Sequence, residues 1–190
     1  MAQISHTQKR YTPQEFLDRE ETAEQRSEYI DGHIYGMAGG TASHIQISFN
    51  LTKLPTEKLR GKCRAYQSEM KVRVERENAF YYPDVTLVCG EQKFYRGRQD
   101  VVENPLLLVE VLSDSTKEYD KNDKFFSYQK IDTFTEYLLV SQDKYAIQQY
   151  IRQADGNWKI KATIGADSEL YLESVDITVP MREVYDLVEI

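Results

Sequence analysis

The stretch Leu106-Leu107-Leu108-Val109-Glu110-Val111-Leu112, with residues 115–131 behind it, decides the fold. Seven nearly unbroken apolar residues read as a central strand covered on both faces. Ser115, with Glu118 three residues later, starts a helix through a capping box. That helix runs to about Ile131 and buries Phe125, Tyr128 and Ile131. Residues 137–140 are a second apolar strand.

Upstream, residues 13–27 predict a short acidic helix, with Thr12 as N-cap, Pro13 in the first turn and Glu15 closing a capping box. Residues 29–37 predict a small hairpin turning at Asp31-Gly32. Gly39-Gly40 breaks the chain. A helix follows from about Ser43, with Ile47, Leu51 and Leu54 on one face and Pro55 interrupting or kinking it. Met70, Val72 and Val74 alternate with Lys71, Arg73 and Glu75, the pattern of a half-buried strand. Glu77-Asn78 turns the chain into a strand over 80–89, and residues 92–104 are a polar loop. Downstream, strands over 145–152 and 158–164 flank Asp155-Gly156, a hairpin signal. A last strand over 175–179 leads to Pro180 and a short helix. The middle order, helix, strand, strand, strand, helix, strand, is an α/β domain with a mixed sheet.

The whole chain of 190 residues suits one domain, 1–190, with a core at about 41–141 and a β extension at about 145–190. Its net charge of −7 and pI near 5.1 exclude a simple basic coat for nucleic acid. Fourteen Tyr and seven Phe exclude disorder. Mean hydropathy is −0.62, and no window approaches the ~18 apolar residues that span a bilayer. Residues 1–11 lack the apolar run of a secretory signal, so the expectation is a cytoplasmic protein. Cys63 and Cys89 have no metal-ligand spacing. They read as two reduced thiols, with a redox link across a hairpin as the alternative.

Glu110 is the one carboxylate in an otherwise buried run, where an unpaired charge costs several kcal/mol. Asp84 follows Pro83 and opens the apolar run 85–88. If the two strands are neighbours, both carboxylates converge at one end of the sheet, and two hard oxygen donors suit Mg²⁺ or Mn²⁺ rather than zinc. Otherwise a turn satisfies Asp84, and an Arg or Lys satisfies Glu110.

Pro83-Asp84 and then Glu110-Val111-Leu112 on the next strand resemble the PD-(D/E)xK nuclease superfamily. More closely, the chain resembles the Uma-two family of restriction endonuclease-like proteins. The matching stretches are Glu28-Tyr29-Ile30-Asp31-Gly32, Met37 with His44, Met70-Lys71-Val72-Arg73-Val74, and Tyr82-Pro83-Asp84-Val85. They continue through Asn104-Pro105, Glu110-Val111-Leu112-Ser113, Ser115-Thr116, Tyr119-Asp120, Lys124 with Tyr128, and Glu136-Tyr137-Leu138-Leu139-Val140. The resemblance implies a restriction endonuclease-like core of order α-β-β-β-α-β, a mixed central sheet flanked by helices. An N-terminal helix and hairpin and C-terminal β-hairpins are added to it. It also implies a metal-dependent endonuclease that hydrolyses DNA phosphodiester bonds as a homodimer, with Asp84, Glu110 and the Val111 carbonyl holding Mg²⁺ or Mn²⁺.

The superfamily's lysine belongs two residues after Glu110, on the same strand face, where this chain has Leu112. In this branch the lysine has moved to the following helix, which points to Lys124 on a stripe with Asp120, Tyr128 and Ile131. Without the family, Lys124 reads as a solvated lysine paired with Asp120. Glu28 matches the branch's upstream acid and would orient the metal or its water; His44 would contact a phosphate or a metal-bound water. Asp114 stands where the branch has proline and helps cap the helix. Glu69 is a weaker candidate opposite Asp84, and His6 and His33 have no evident partners. Between Lys53 and Arg76, eight basic residues stand against three acids, a stretch that suits phosphate contacts. Lys93, Arg96 and Arg98 add a basic loop. The competing class is a catalytically silent nuclease-fold protein that binds nucleic acid or a protein partner.

Overall fold

In the computed structural model, residues 9–113 and 117–190 are described. Asp114, the Ser115–Glu118 capping box and His6 therefore lie wholly or partly outside the described residues. Thr12 caps α1 (Pro13–Glu20): its hydroxyl accepts from the Glu15 N–H, and Glu15 accepts from the Thr12 N–H at 2.7 Å. The helix stops short of residue 27 because residues 21–26 carry no large apolar side chain to bury. β1 (Ser27–Ile30) and β2 (His33–Gly36) form the predicted hairpin. Its turn residues Asp31 and Gly32 take φ of +42° and +90°, the left-handed pair that a two-residue hairpin needs. α2 (Ala42–Lys58), capped by Thr41, runs through Pro55 instead of breaking there. Pro55 sits one turn from the end, so little of the hydrogen-bond ladder is lost.

After α2 come β3 (Cys63–Gln67), β4 (Lys71–Val74), β5 (Ala79–Tyr81), β6 (Val85–Cys89), β7 (Val101–Val102) and β8 (Leu107–Leu112). The helical segment is α3 (Lys117–Tyr119), a π turn over Asp120–Lys124, and α4 (Phe125–Tyr128). β9 (Glu136–Ser141), β10 (Ala146–Arg152), β11 (Trp158–Ile164), β12 (Glu169–Leu172), β13 (Ile177–Pro180) and α5 (Met181–Val184) complete the chain. The main sheet has the order β11-β10-β9-β8-β6-β3, with β8 and β9 parallel and the other pairs antiparallel. A second sheet has the order β2-β1-β5-β4-β7, and β12 pairs with β13.

Alternation along β8 sorts the core. Leu107, Val109 and Val111 face Ile47 and Leu51 of α2 and Met181 and Val184 of α5. Leu108 faces the other way, with Phe125, Tyr128, Phe134 and Tyr137. Each such fully buried side chain contributes about 1.5–3 kcal/mol. Glu110 shares the face of Leu108 and so points into the aromatic layer. Glu136, fully buried in β9, accepts from the N–H groups of Glu173 (3.2 Å) and Ser174 (2.9 Å) and from Gln149. That carboxylate ties the C-terminal extension to the core.

The predicted order α-β-β-β-α-β holds, but with different strands. Its first strand is β3, an edge strand of mixed polarity, whereas β4 belongs to the second sheet. Residues 80–89 are not one strand: Pro83 has no N–H for the ladder, and the chain crosses there from the second sheet to the main one. β4 is buried along its whole length rather than half-buried. Lys71 and Arg73 therefore leave the predicted phosphate-binding stretch. Lys71 pairs with Asp100 at 2.9 Å, and Arg73 donates to the Ala79 carbonyl and to Asn78. Arg98 pairs with Asp100 and Glu21. Glu69 is exposed and pairs with Arg26, away from Asp84. Cys63 and Cys89 oppose each other across β3 and β6 and form a disulfide rather than two thiols, because the register brings their Cα atoms to 4.0 Å.

Complete reduction of the disulfide should lower unfolding stability by about 3 kcal/mol, from the loop that a 26-residue separation closes. Equal denaturation curves with and without reductant would remove that contribution. Burial alone would raise the Asp100 carboxyl, but hydrogen bonds from Arg98 and Lys71 hold it down at about 2. A depressed carboxyl stabilises the fold above its unfolded value, and that stability is lost as pH falls toward 2. Asp100→Asn should cost roughly 1 kcal/mol at pH 7, allowing for solvent screening of a half-exposed group, and nothing near pH 2. A cost independent of pH would assign the effect to packing.

Candidate active site

Register brings Asp84 and Glu110 together. The last β6–β8 pairs are Thr86 with Leu108 and Val85 with Val109, so the next step sets Asp84 opposite Glu110. Pro83 frees Asp84 from the ladder, and its carboxylate accepts from the Val111 N–H at 2.7 Å and meets His44 Nε2 at 2.8 Å. His44 reaches it from the first turn of α2, where Thr41 caps its N–H.

Lys124 arrives from the π turn. Its ammonium lies 3.0 Å from Glu28 Oε1, 3.3 Å from Glu110 Oε1 and 3.2 Å from Asp120 Oδ1, the last outside hydrogen-bond alignment. All four residues are 3–5% exposed. Tyr128 donates to Glu110 Oε1 at 3.0 Å, Tyr119 donates to Glu28 Oε2 at 3.2 Å, and the Tyr82 N–H approaches Glu28 Oε1 at 3.4 Å. The Tyr137 hydroxyl donates to the Asp120 carbonyl at 2.9 Å and braces the widened turn. Glu28, Asp84, Glu110, Asp120 and Lys124 form the floor of a cleft of about 940 Å³, walled by β2, residues 37–41 and the segment 119–130.

A family model described as "Putative restriction endonuclease" (Uma2) matches residues 13–181. The chain belongs to the Uma2 family. Its relatives include two uncharacterized proteins of Synechocystis sp. (strain ATCC 27184 / PCC 6803 / Kazusa). With sll1609 it is 37% identical over 86% of this chain and 93% of that protein; with slr1290 it is 34% identical over 92% and 90%. The fold is similar to that of a solved protein from Anabaena variabilis ATCC 29413, described as a putative nuclease belonging to DUF820. The TM-score is 0.75 at 15% identity, over 94% of this chain and 99% of that one. That likeness speaks for the fold alone. No helix among the described residues is long and apolar enough to cross a membrane.

All the sequence-selected residues of this Uma2 protein, Glu28, His44, Asp84, Glu110, Val111 and Lys124, line the one cleft. Lys124 is a buried hub, not a solvated helix lysine. Sequence reasoning paired Lys124 with Asp120 but missed how Tyr119 and Tyr128 hold the carboxylates; aromatic residues spaced around a lone acid were the available signal. Electrostatics follow from burial. Desolvation opposes the Lys124 charge, but Glu110, Glu28 and Asp120 outweigh it and hold the ammonium well above its usual pKa. Burial pushes Glu110 well up; Lys124 opposes this, and the neighbouring carboxylates add to it. Burial also pulls His44 down, but the hydrogen bond and charge of Asp84 prevail and raise it.

Among the described residues no three acidic, histidine or cysteine side chains are gathered to cage a metal. Yet Asp84 and Glu110 are two oxygen donors at matched register, and the carboxylates outnumber the cations around them. That donor set fits a hard divalent ion that keeps most of its waters and needs only one or two carboxylates. In EDTA, Lys124→Met should cost about 3–5 kcal/mol, because it strands three buried carboxylates, while Glu110→Gln should cost under about 1 kcal/mol or stabilise. Denaturation curves check the asymmetry, and equal costs would refute the hub.

Proposed function

We propose that this protein is a divalent-cation-dependent endonuclease that hydrolyses DNA phosphodiester bonds in the cleft. One observation carries the reading: a buried, protonated lysine from the helical segment meets Glu110, and Asp84 stands across the strand pair. Asp84, Glu110 and the Val111 carbonyl would hold Mg²⁺ or Mn²⁺. A bound divalent ion supplies Lewis-acid polarisation of a phosphoryl oxygen and a lowered water pKa.

The chain's own groups supply the rest. Lys124 offsets the negative charge that develops on the phosphoryl oxygens and orients the attacking water, the task Leu112 cannot perform. Pre-set charge of this kind is often the largest contribution to rate. Glu28 and Asp120 hold the ammonium in place from both sides. Tyr128 holds Glu110, and His44 holds Asp84. A homodimer would bring two such sites to the two strands of a duplex.

The alternative is a catalytically silent binding module. It draws on the engagement of the Lys124 ammonium by three carboxylates, Glu28, Glu110 and Asp120. Purified protein incubated with plasmid and single-stranded DNA in Mg²⁺, Mn²⁺ or EDTA separates the two. Metal-dependent cleavage should fall by about 10²–10³-fold in Asp84→Ala and Glu110→Ala, and comparably in Lys124→Ala with metal affinity retained. Cleavage equal in all four proteins, or none in any, would leave the binding module.

A further inference from the structure

The walls of the cleft carry a feature that the proposed chemistry leaves unused. Tyr35, 51% exposed, and Phe126, 60% exposed, both line it. Tyr35 comes from the hairpin wall and is the cross-strand partner of Glu28, which places it on the same face of the hairpin. Phe126 comes from the helical wall, two residues beyond Lys124. Glu28 and Lys124 are themselves an ion pair at 3.0 Å, so the two walls meet at one charged floor.

The cleft is also poor in counter-charge. Among the described residues, six carboxylates line it against two lysines and one histidine, and one of those lysines, Lys130, is paired with Glu77. The exposed lysines and arginines of residues 53–64 do not line it. One divalent ion leaves the balance negative. A long row of phosphates therefore finds little attraction in this cleft, and affinity has to come from another source. Exposed aromatic rings supply one, since nucleobases stack on them whatever their sequence. In a duplex the ring faces are covered by neighbouring base pairs. Only an unpaired strand offers them.

We propose that the cleft binds single-stranded DNA, with unpaired bases stacked on Tyr35 and Phe126 beside the reacting phosphate. This rests on the nuclease reading for the phosphate's fate, but the binding mode stands apart from it. Each ring contributes through contact area, not charge, so binding depends weakly on salt.

Fluorescence anisotropy in Ca²⁺ or EDTA, with a labelled single-stranded oligonucleotide and its duplex, tests the binding. The protein carries Asp84→Ala to prevent turnover. The single strand should bind at least tenfold more tightly than the duplex. Tyr35→Ala and Phe126→Ala should each weaken it by about 5- to 150-fold, the range for one stacked base, while Tyr35→Phe retains it. The log–log salt slope should be shallower than about −2, against the steep slope of a protein that neutralises many phosphates. Duplex binding as tight as single-strand binding, or affinity unchanged in both alanine variants at an unchanged melting temperature, would overturn the proposal. Cleavage with Mg²⁺ by the protein with Asp84 intact is the separate arm. Stacking without cleavage leaves the binding mode and removes the nuclease. Duplex cleaved as fast as single strand, at equal rates in the alanine variants, leaves the nuclease and removes the stacking.

Discussion

A lysine ammonium buried among Glu28, Glu110 and Asp120 has to be matched from three directions, and that requirement reaches through the fold. Glu28 comes from the second sheet, Glu110 from the centre of the main sheet, and Asp120 from the same turn as Lys124. No one element satisfies the charge, so the two sheets and the helical segment must assemble before it can be buried. A charge taken from water costs several kcal/mol unless its partners are in place. The site and the fold thus depend on one another. The π turn belongs to the same demand, because it turns Asp120 and Lys124 inward together while Phe125 and Tyr128 keep their places in the aromatic layer.

Pro83 does the corresponding work in the backbone. A strand continued straight through it would have kept Asp84 in a ladder, with its carboxylate fixed by the pleat. Lacking an N–H, Pro83 lets the chain leave the second sheet at Tyr81 and enter the main sheet at Val85. The crossing leaves Tyr82 facing Glu28 and Asp84 facing Val111. Functional irregularity is thereby confined to three residues between two regular ladders.

Much of this was legible in the sequence, for physical reasons particular to each part. A carboxylate in the run 106–112 is conspicuous because an apolar strand has no other use for it, and the capping box at Thr12 and the Asp31-Gly32 turn are chemistries of adjacent residues. β3 was not legible: an edge strand needs only one protected face, and Cys63-Arg64-Ala65-Tyr66-Gln67 carries no strong period. Lys71 and Arg73 mislead because alternation signals two unlike faces, whereas here the polar face is closed by Asp100, Phe80 and Tyr95. The disulfide depends on register between strands 26 residues apart, which no local pattern records. The roles of Tyr119 and Tyr128 depend on the inward turn of 120–124, and the exposure of Tyr35 and Phe126 depends on what fails to cover them.

The shared lysine has a consequence for how such a sequence can change over descent. Loss of Lys124 alone strands three acids, whereas loss of Glu110 alone leaves the lysine two partners. The order of replacement therefore matters: paths through an acid-to-amide step keep most of their stability, and paths that begin at the lysine lose several kcal/mol of it. A lineage abandoning the chemistry would be expected to shed its carboxylates first and its lysine last. Epistasis of this sign would make the four positions travel together even where no reaction is under selection.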